Sequence, residues 1–461
     1  MKHYNVKILM TALLSTAFSL TAGAQSDANF LLAQYFNYTT SENLDDQTNW
    51  AVSAKDDGSE SAGDSPIVKA GNLSYPLYAG SGEGKSAYLN ATNQSVTEKA
   101  HLTLFTFTDG GLPTNEALYA AFLVNVSEMN NITCDIFCYN NGNTANRGRV
   151  WVKVANGTNA VNFAVTKSGN TSGSTVWSAE LDKTKSVLLV LKYINKSTSS
   201  TGTPDQYYLY VNPDPTKSEE DNASCQLTAE DNGSSGGATI KRVGLKTQTN
   251  TKATFSGMRI SRTWGQALAV GLTIGETGWA TFSATQNFTL PDGLKAYVVS
   301  SFDSGKGSVA LTEVAAIPAN QGVLLKGTPS TKYTLIPQAA DPDVGANLLA
   351  MNLTASVLPK TDGGNTNFIL VPDGAGSVKF AKPNGTGSLA ANKAYLQVPT
   401  GNLSGHELTI SFADSETTGI GNLTPGLSQG EGVCFDLQGR KLSGKPTKGL
   451  YIVNGKKVII K

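Results

Sequence analysis

Apolar and polar positions along this chain alternate in short runs; they do not recur every three or four residues. "RGRVWVKVA" (147–155) alternates strictly. Successive strand side chains point to opposite faces, so Val150, Val152 and Val154 share an inward face while Arg149, Trp151 and Lys153 point the other way. "LYAAFLVNVS" (118–127) alternates loosely and is apolar on both faces in places, which predicts a central strand. "VNFAVTKSG", "SVLLVLKYIN" and "DQYYLYVNP" continue the series; in the last, Tyr208 and Tyr210 lie on one face and Tyr207 on the other. Turn clusters of Gly and Asn separate the runs at roughly 10-residue spacing, and helical periodicity is nearly absent. The pattern predicts an all-β chain whose first part, residues 25–268, is a jelly-roll sandwich.

The pattern shifts near Ala269. "TIGETGWATFSATQNFTLPDGLKAYVVSSF", "ALTEVAAIPANQGVLLKG", "NFILVPDGAGSVKFAKP" and "LAANKAYLQVP" are again short strands, now punctuated by Pro and Gly, and predict a second β-domain over 269–414. A Gly-rich stretch, 415–432, reads as a flexible linker. Beyond it, "VCFDLQGRKL" and "GLYIVNGKKVIIK" form a small hairpin unit with "NGK" as its turn, over 433–461.

The first 24 residues differ from all of this. Lys2, His3 and Lys7 precede an apolar run from Ile8 to about Ala22, and small residues Ala22, Gly23 and Ala24 stand before Gln25. A charged start, an apolar middle and a small-residue end describe a secretory signal cleaved after Ala24. The run falls short of the roughly 20 apolar residues that a membrane-spanning helix needs. No later stretch of the chain reaches that length either, so no transmembrane helix is expected in the mature chain.

Composition agrees. Of 461 residues, 47 are Gly and only 16% are charged, which suits an extracellular β-protein with many turns. The formal net charge is zero, so nothing draws the chain toward nucleic acid. Four cysteines are too few for a disulfide scaffold at this length. Cys134 and Cys138, four apart on one strand, would share a face about 13 Å apart. A disulfide needs Cα atoms roughly 4.4–6.8 Å apart, so free thiols are expected.

Several pieces carry a family resemblance. "FNYTTSENL…NW", "LSYPLYAGSGEGKSAYL", "LYAAFLVNVS", "RGRVWVKV", "LLVLKYI", "YYLYVNPDP" and "FSGMRISRTWGQAL", in this order, resemble the laminin-G/concanavalin-A-like domains of secreted Bacteroidetes proteins. The resemblance implies a two-sheet jelly roll and a binding or adhesive module. "GWATF", "LPDGLKAYVV", "IPANQGVLLKG" and "LAANKAYLQVP" resemble a β-domain common in the same group of secreted proteins. The end of the chain resembles the C-terminal sorting tail of Bacteroidetes cargo proteins. The matching positions include Asp436, Gly439 and Arg440 of "DLQGR", Gly449, Tyr451 and Gly455 of "KGLYIVNGKK", and the final Lys461; Phe435 stands where Tyr is usual. That resemblance implies recognition by type IX export machinery and a location outside the cell or on its surface.

Motifs with enzyme chemistry fall short. "AGSGEGKS" (79–86) is similar to a phosphate-binding loop, but Ala79 stands where G-x-x-x-x-G-K-[ST] needs Gly. "ELDKTK" (180–185) begins like the E-x-D-x-x-E strand of β-glucanases, yet Lys185 replaces the second Glu of a two-carboxylate mechanism. After signal removal only His101 and His406 remain, neither in a metal or triad pattern. No cofactor is expected. The acidic loops "SEEDNAS" (218–224) and "DPDVGAN" (341–347) are candidates for structural calcium, although they lack regular EF-hand spacing.

The sequence therefore reads as a secreted, non-catalytic surface protein that binds a glycan or glycoprotein through its first domain. The alternatives are a structural surface protein without a ligand, and an unrecognised glycan hydrolase. The candidate contact residues are Trp151, Arg149, Lys153 and Tyr208. An indole on the polar face would stack on a sugar ring, flanked by cations, and Tyr208 would extend the platform if its strand were a neighbour in the same sheet.

Overall fold

A computed structural model describes residues 30–47, 50–52, 65–90, 99–105, 107, 111–129, 133–140, 146–154, 159–196, 204–229, 240–247, 251–374, 376–401, 407–412, 434–435, 449–453 and 456–460. The chain divides into two units, 1–413 and 414–461. The fold is all-β: among the described residues the helical segments are Trp264–Ala267 and the 3-10 turns Leu44–Asp46 and Glu220–Cys225.

The first part is a two-sheet jelly-roll sandwich. One sheet has eight strands, ordered Gln226–Thr228, Gln206–Val211, Val187–Ile194, Ala117–Met129, Thr251–Ser261, Ser86–Asn90 and Ile67–Lys69, with Phe30–Gln34 also on Thr251–Ser261. The other has seven, ordered Leu181–Asp182, Ala160–Thr166, Asn146–Val154, Thr133–Asn140, Arg242–Thr247, Lys99–Leu104 and Trp50–Val52. Alternation supplies the core between them: Phe122 of the first sheet stacks on Phe137 of the second with centroids 4.1 Å apart. Such a pair adds about 0.5–1.5 kcal/mol beyond the area it buries.

Ala117–Met129 is central, as its two-sided apolarity predicts. Its Ala120, Phe122 and Val124 face the sandwich core. Its Tyr119, Ala121 and Leu123 face outward, under Tyr78, Trp264, Ala267 and Leu268. The eight-stranded sheet is thus covered on both sides.

The cysteine strand departs from simple alternation. Register shifts interrupt its pairing between Asp135 and Phe137 and again before Tyr139. A bulge adds a residue and flips the faces beyond it. Cys134, Ile136, Phe137 and Tyr139 all enter the core, while Cys138 is buried outside it. The two thiols therefore do not share a face as regular alternation requires. Both are free.

Beyond Ala269 a ten-stranded sheet runs Trp279–Ala284, Gln321–Lys326, Lys295–Asp303, Ser308–Val314, Glu407–Phe412, Val378–Ala381, Asn365–Pro372, Lys393–Pro399 and Leu349–Asn352, with Thr361–Asp362 on Asn365–Pro372. It curls until its ends meet: Ser283 N donates to Asn392 O at 3.0 Å, and Ser283 Oγ to Lys393 O at 2.8 Å. Its inner face encloses Val299, Leu311, Leu324, Phe368 and Leu396, and its outer face packs Phe282, Val298, Val323 and Leu325 under short strands.

The stretch that is similar to a phosphate-binding loop joins this part to the sandwich. Ala79 N donates to Ala269 O, Gly271 N to Leu77 O, and the Lys332 ammonium to the carbonyls of Ala79 and Ser81 and to Glu83. The strand Ser86–Asn90 follows it, so there is no helix N-terminus to receive a phosphate.

In the second unit, Cys434–Phe435, Gly449–Val453 and Lys456–Ile460 form a three-stranded antiparallel sheet. Pairing Val453 with Lys456 leaves two residues between the strands, the spacing of a tight hairpin. Gly449 and Tyr451 lie on its middle strand. Ala22, Ala24, Asp436, Gly439, Arg440, Gly455, Lys461 and the linker lie outside the described residues.

Candidate binding site

The expected platform is not an exposed one. Val150 and Val152 enter the core as the alternation requires, and Arg149 and Trp151 lie on the opposite face of the seven-stranded sheet. That face is roofed. Trp151 is only 5% exposed, and its Nε1 donates to Thr166 Oγ1 at 2.8 Å, which in turn donates to Gly169 O. The loop beginning at Lys167 folds back over the indole, and the Arg149 guanidinium covers the ring at 4.4 Å. Arg149 Nε donates to Asp135 Oδ2 at 2.5 Å, and its Nη1 reaches Asn170 Oδ1. Trp151 and Arg149 are therefore scaffold, with their rings and donors occupied. Tyr208 is in the other sheet, paired with Lys192 and Thr228, so it cannot extend anything built on residues 147–154.

Lys153 does meet an aromatic, but it is Trp177, at 4.3 Å from the ring centroid. Trp177 is half-buried and follows the exposed Val176. Its signal in the sequence is a lone indole in the Gly- and Ser-rich stretch "SGNTSGSTVWS".

On the outer face of the eight-stranded sheet stands a cluster that periodicity does not disclose. Glu219 accepts from Lys192 Nζ at 2.5 Å, Tyr119 OH at 2.6 Å and Tyr210 OH at 2.5 Å, while Gln226 donates to Tyr210 OH. Trp264 packs edge-on to Tyr119 and Tyr210. Burial pushes the Glu219 pKa up, but the three donors outweigh it and hold the carboxyl below its ordinary value. Burial and that same carboxylate push both tyrosines up.

These contacts decide the calcium candidates. In 218–224, Glu219 is committed to its three donors and Asp221 pairs with the Ser218 hydroxyl inside a 3-10 turn. In 341–347, Asp341 accepts from Asn287 at 2.6 Å and Asp343 caps Gly345 N. Among the described residues no three His, Cys, Asp or Glu side chains gather as a metal site would require. The donor sets do not fit a calcium ion, which takes six to eight oxygens. The thiols are equally committed: burial pushes Cys134 up to about 12 and Cys138 well up too.

"ELDKTK" proves to be one lip of a cleft. Leu181–Asp182 is a two-residue edge strand, and the chain turns at once because Asp182 Oδ1 accepts from both N and Oγ1 of Thr184. These hydrogen bonds hold Asp182 below its ordinary pKa. Asn125 Nδ2 fastens the turn by donating to the carbonyls of Lys183 and Lys185. Tyr75, Pro76 and Asn212 line the same cleft, which encloses about 580 Å³. Burial, followed by the charge of Asp214, pushes the Tyr75 hydroxyl up to about 12. The cleft thus sets an aromatic ring and a proline against two carboxylates and the Lys185 ammonium.

No family model and no curated protein match the chain. Distant structural matches exist. The T. cruzi calreticulin globular domain aligns with a TM-score of 0.29 and 13% identity, over 49% of this chain and 88% of that one. An endo-β-1,4-glucuronan lyase from Trichoderma reesei gives 0.27 and 11%, over 50% and 96%. The binding domain of botulinum neurotoxin serotype D gives 0.26 and 8%, over 81% and 98%. At such scores they carry no argument about what this chain does.

Proposed function

We propose that this chain is a secreted, non-catalytic surface protein that binds a neutral glycan in the cleft between Tyr75–Pro76 and Glu180–Ser186. The cleft is the observation that carries the reading. Its volume lies within the range of about 300–1,000 Å³ typical of small-ligand sites. Sugars bind where an aromatic face meets their C–H surface and charged groups meet their hydroxyls, and here Tyr75 supplies the first and Glu180, Asp182 and Lys185 the second. Hydrolysis by the E-x-D-x-x-E arrangement would need a second glutamate, and Lys185 holds that position.

The test is an oligosaccharide array probed with the full chain, Glu180→Ala and Tyr75→Ala, with melting temperature followed in parallel. Retention of neutral oligosaccharides, weakened tenfold or more in Glu180→Ala at unchanged melting temperature, is expected. No retention, or equal retention by both variants, removes the reading and leaves a structural surface protein. Turnover of a retained glycan would make it a hydrolase.

The address rests on the N-terminal signal pattern and on the resemblance of the tail to type IX sorting signals. Among the described residues no helix is long and apolar enough to cross a membrane. In a cell with that export system, deletion of 433–461 should abolish surface display; unchanged display in fractionated cells removes the tail from the reading.

A further inference from the structure

We infer a second ligand site, for an anionic saccharide, at the end of the ten-stranded sheet where Trp279, Lys326 and Lys295 stand in one row across three adjacent strands. The pairing is direct: Lys326 is opposite Trp279 on one side and opposite Lys295 on the other. Like charges directly across a strand pair are unfavourable by themselves. The two ammoniums part. Lys295 Nζ goes to Glu313 Oε2 at 2.9 Å. Lys326 Nζ lies over the rings of Trp279, at 5.1 Å, and Phe412, at 5.5 Å. Among the described residues Lys326 has no ion pair; it is exposed, so water and the two ring faces meet its charge.

The rings are themselves arranged as a site. Trp279 and Tyr297 are buried, with centroids 5.8 Å apart, and form a floor. Phe412 stands against both, at 6.4 and 5.7 Å, yet is 52% exposed. A large apolar ring left half in water beside an unpaired cation is a place where a partner gains from both. Tyr297 and Lys326 also line a cleft of about 650 Å³ that continues past Lys295, Asp292 and the backbone of Gly293 and Gly327.

A sugar ring bearing a carboxylate or sulfate fits this chemistry. Its C–H face covers Phe412, its anion lies between Lys326 and Lys295, and its hydroxyls reach Asp292 and Thr328. A purely apolar ligand would strip water from Lys326 without replacing it, and a neutral sugar would offer that ammonium no counter-charge. This site shares no residue with the Tyr75 cleft, and either stands if the other fails.

The full chain is titrated with an oligogalacturonate, a sulfated heparin tetrasaccharide and cellotetraose, at low and high salt, by calorimetry. Binding of at least one anionic probe, tighter than cellotetraose by tenfold or more and weakened by salt, is expected; the two anionic probes separate carboxylate from sulfate recognition. Lys326→Gln and Phe412→Ala should each lower that affinity at least fivefold while melting with the wild type, and Glu180→Ala should leave it unchanged. Anionic probes that bind no better than cellotetraose overturn the inference. So does wild-type affinity in both Lys326→Gln and Phe412→Ala.

Discussion

The ammonium of Lys246 lies 2.5 Å from Oδ2 of Asp135, and water reaches neither side chain. Arg149 Nε contacts the same oxygen at the same distance. Two cations from the strands on either side of Asp135 thus converge on one carboxylate in the outer layer of the sandwich. An uncompensated buried charge is far more costly than an absent pair, so Asp135→Ala should destabilise the fold by about 3–5 kcal/mol. Urea unfolding followed by tryptophan fluorescence measures it. A loss under about 1 kcal/mol would mean that water or another acceptor takes over both cations.

That triad shows what alternation can and cannot disclose. The strict run 147–154 places Val150 and Val152 in the core and sets Arg149 and Trp151 on the far face, where they are found. It says nothing of what lies above that face. The cover comes from the loop after Lys167, brought over by Asn170 and Gly169, and no local pattern encodes its return. Strand order is likewise non-local: Tyr208 and Trp151 sit in different sheets because Gln206–Val211 pairs with Val187–Ile194. The acidic run 218–224 reads as a metal loop until Lys192, Tyr119 and Tyr210, from three separate strands, are seen to use Glu219. The central placement of Ala117–Met129 was legible because a strand buried on both faces must itself be apolar on both.

Glu219 predicts a specific response to acid. Its folded pKa lies below the ordinary 4.5, so it contributes stability at every pH above that value, and the contribution is lost as pH falls through the folded pKa. Once both folded and unfolded carboxyls are protonated, nothing of it remains. Wild type should therefore melt above Glu219→Gln by a constant margin at neutral pH, and the margin should close as pH drops below the ordinary carboxylate range. The cluster is partly solvent-exposed, so the margin is a modest one. A margin that persists undiminished at pH 2 would assign the effect to amide geometry and not to charge.

The last prediction concerns a close backbone approach in the sandwich. Gly257 lies at the register shift between Ser256 and Arg259, with φ of +60°, and a Cβ there would fall 2.2 Å from Gly80 O. A Cβ on Gly80 would fall 2.4 Å from Gly257 O, so the clash is reciprocal and made of backbone, which cannot swing aside. The fully buried Tyr78 hydroxyl fixes the approach, 2.6 Å from the carbonyl of Gly257 and 3.2 Å from that of Ala121. Gly71 offers the control, since its φ is +83° and nothing lies within 4 Å of an added Cβ. A left-handed conformation alone costs a non-glycine residue about 1–2 kcal/mol, and Gly71→Ala should show no more than that. Gly257→Ala should lose clearly more, because strand Thr251–Ser261 must move away from Gly80 and break the Tyr78 contact. Gly80→Ala, whose φ lies outside the left-handed region, should be destabilised by the clash with Gly257 O and the Tyr78 ring alone. Urea midpoints of the three variants decide it: equal midpoints for Gly71→Ala and Gly257→Ala would show that the two segments part without cost, and the clamp between Tyr78 and Gly257 would then hold nothing.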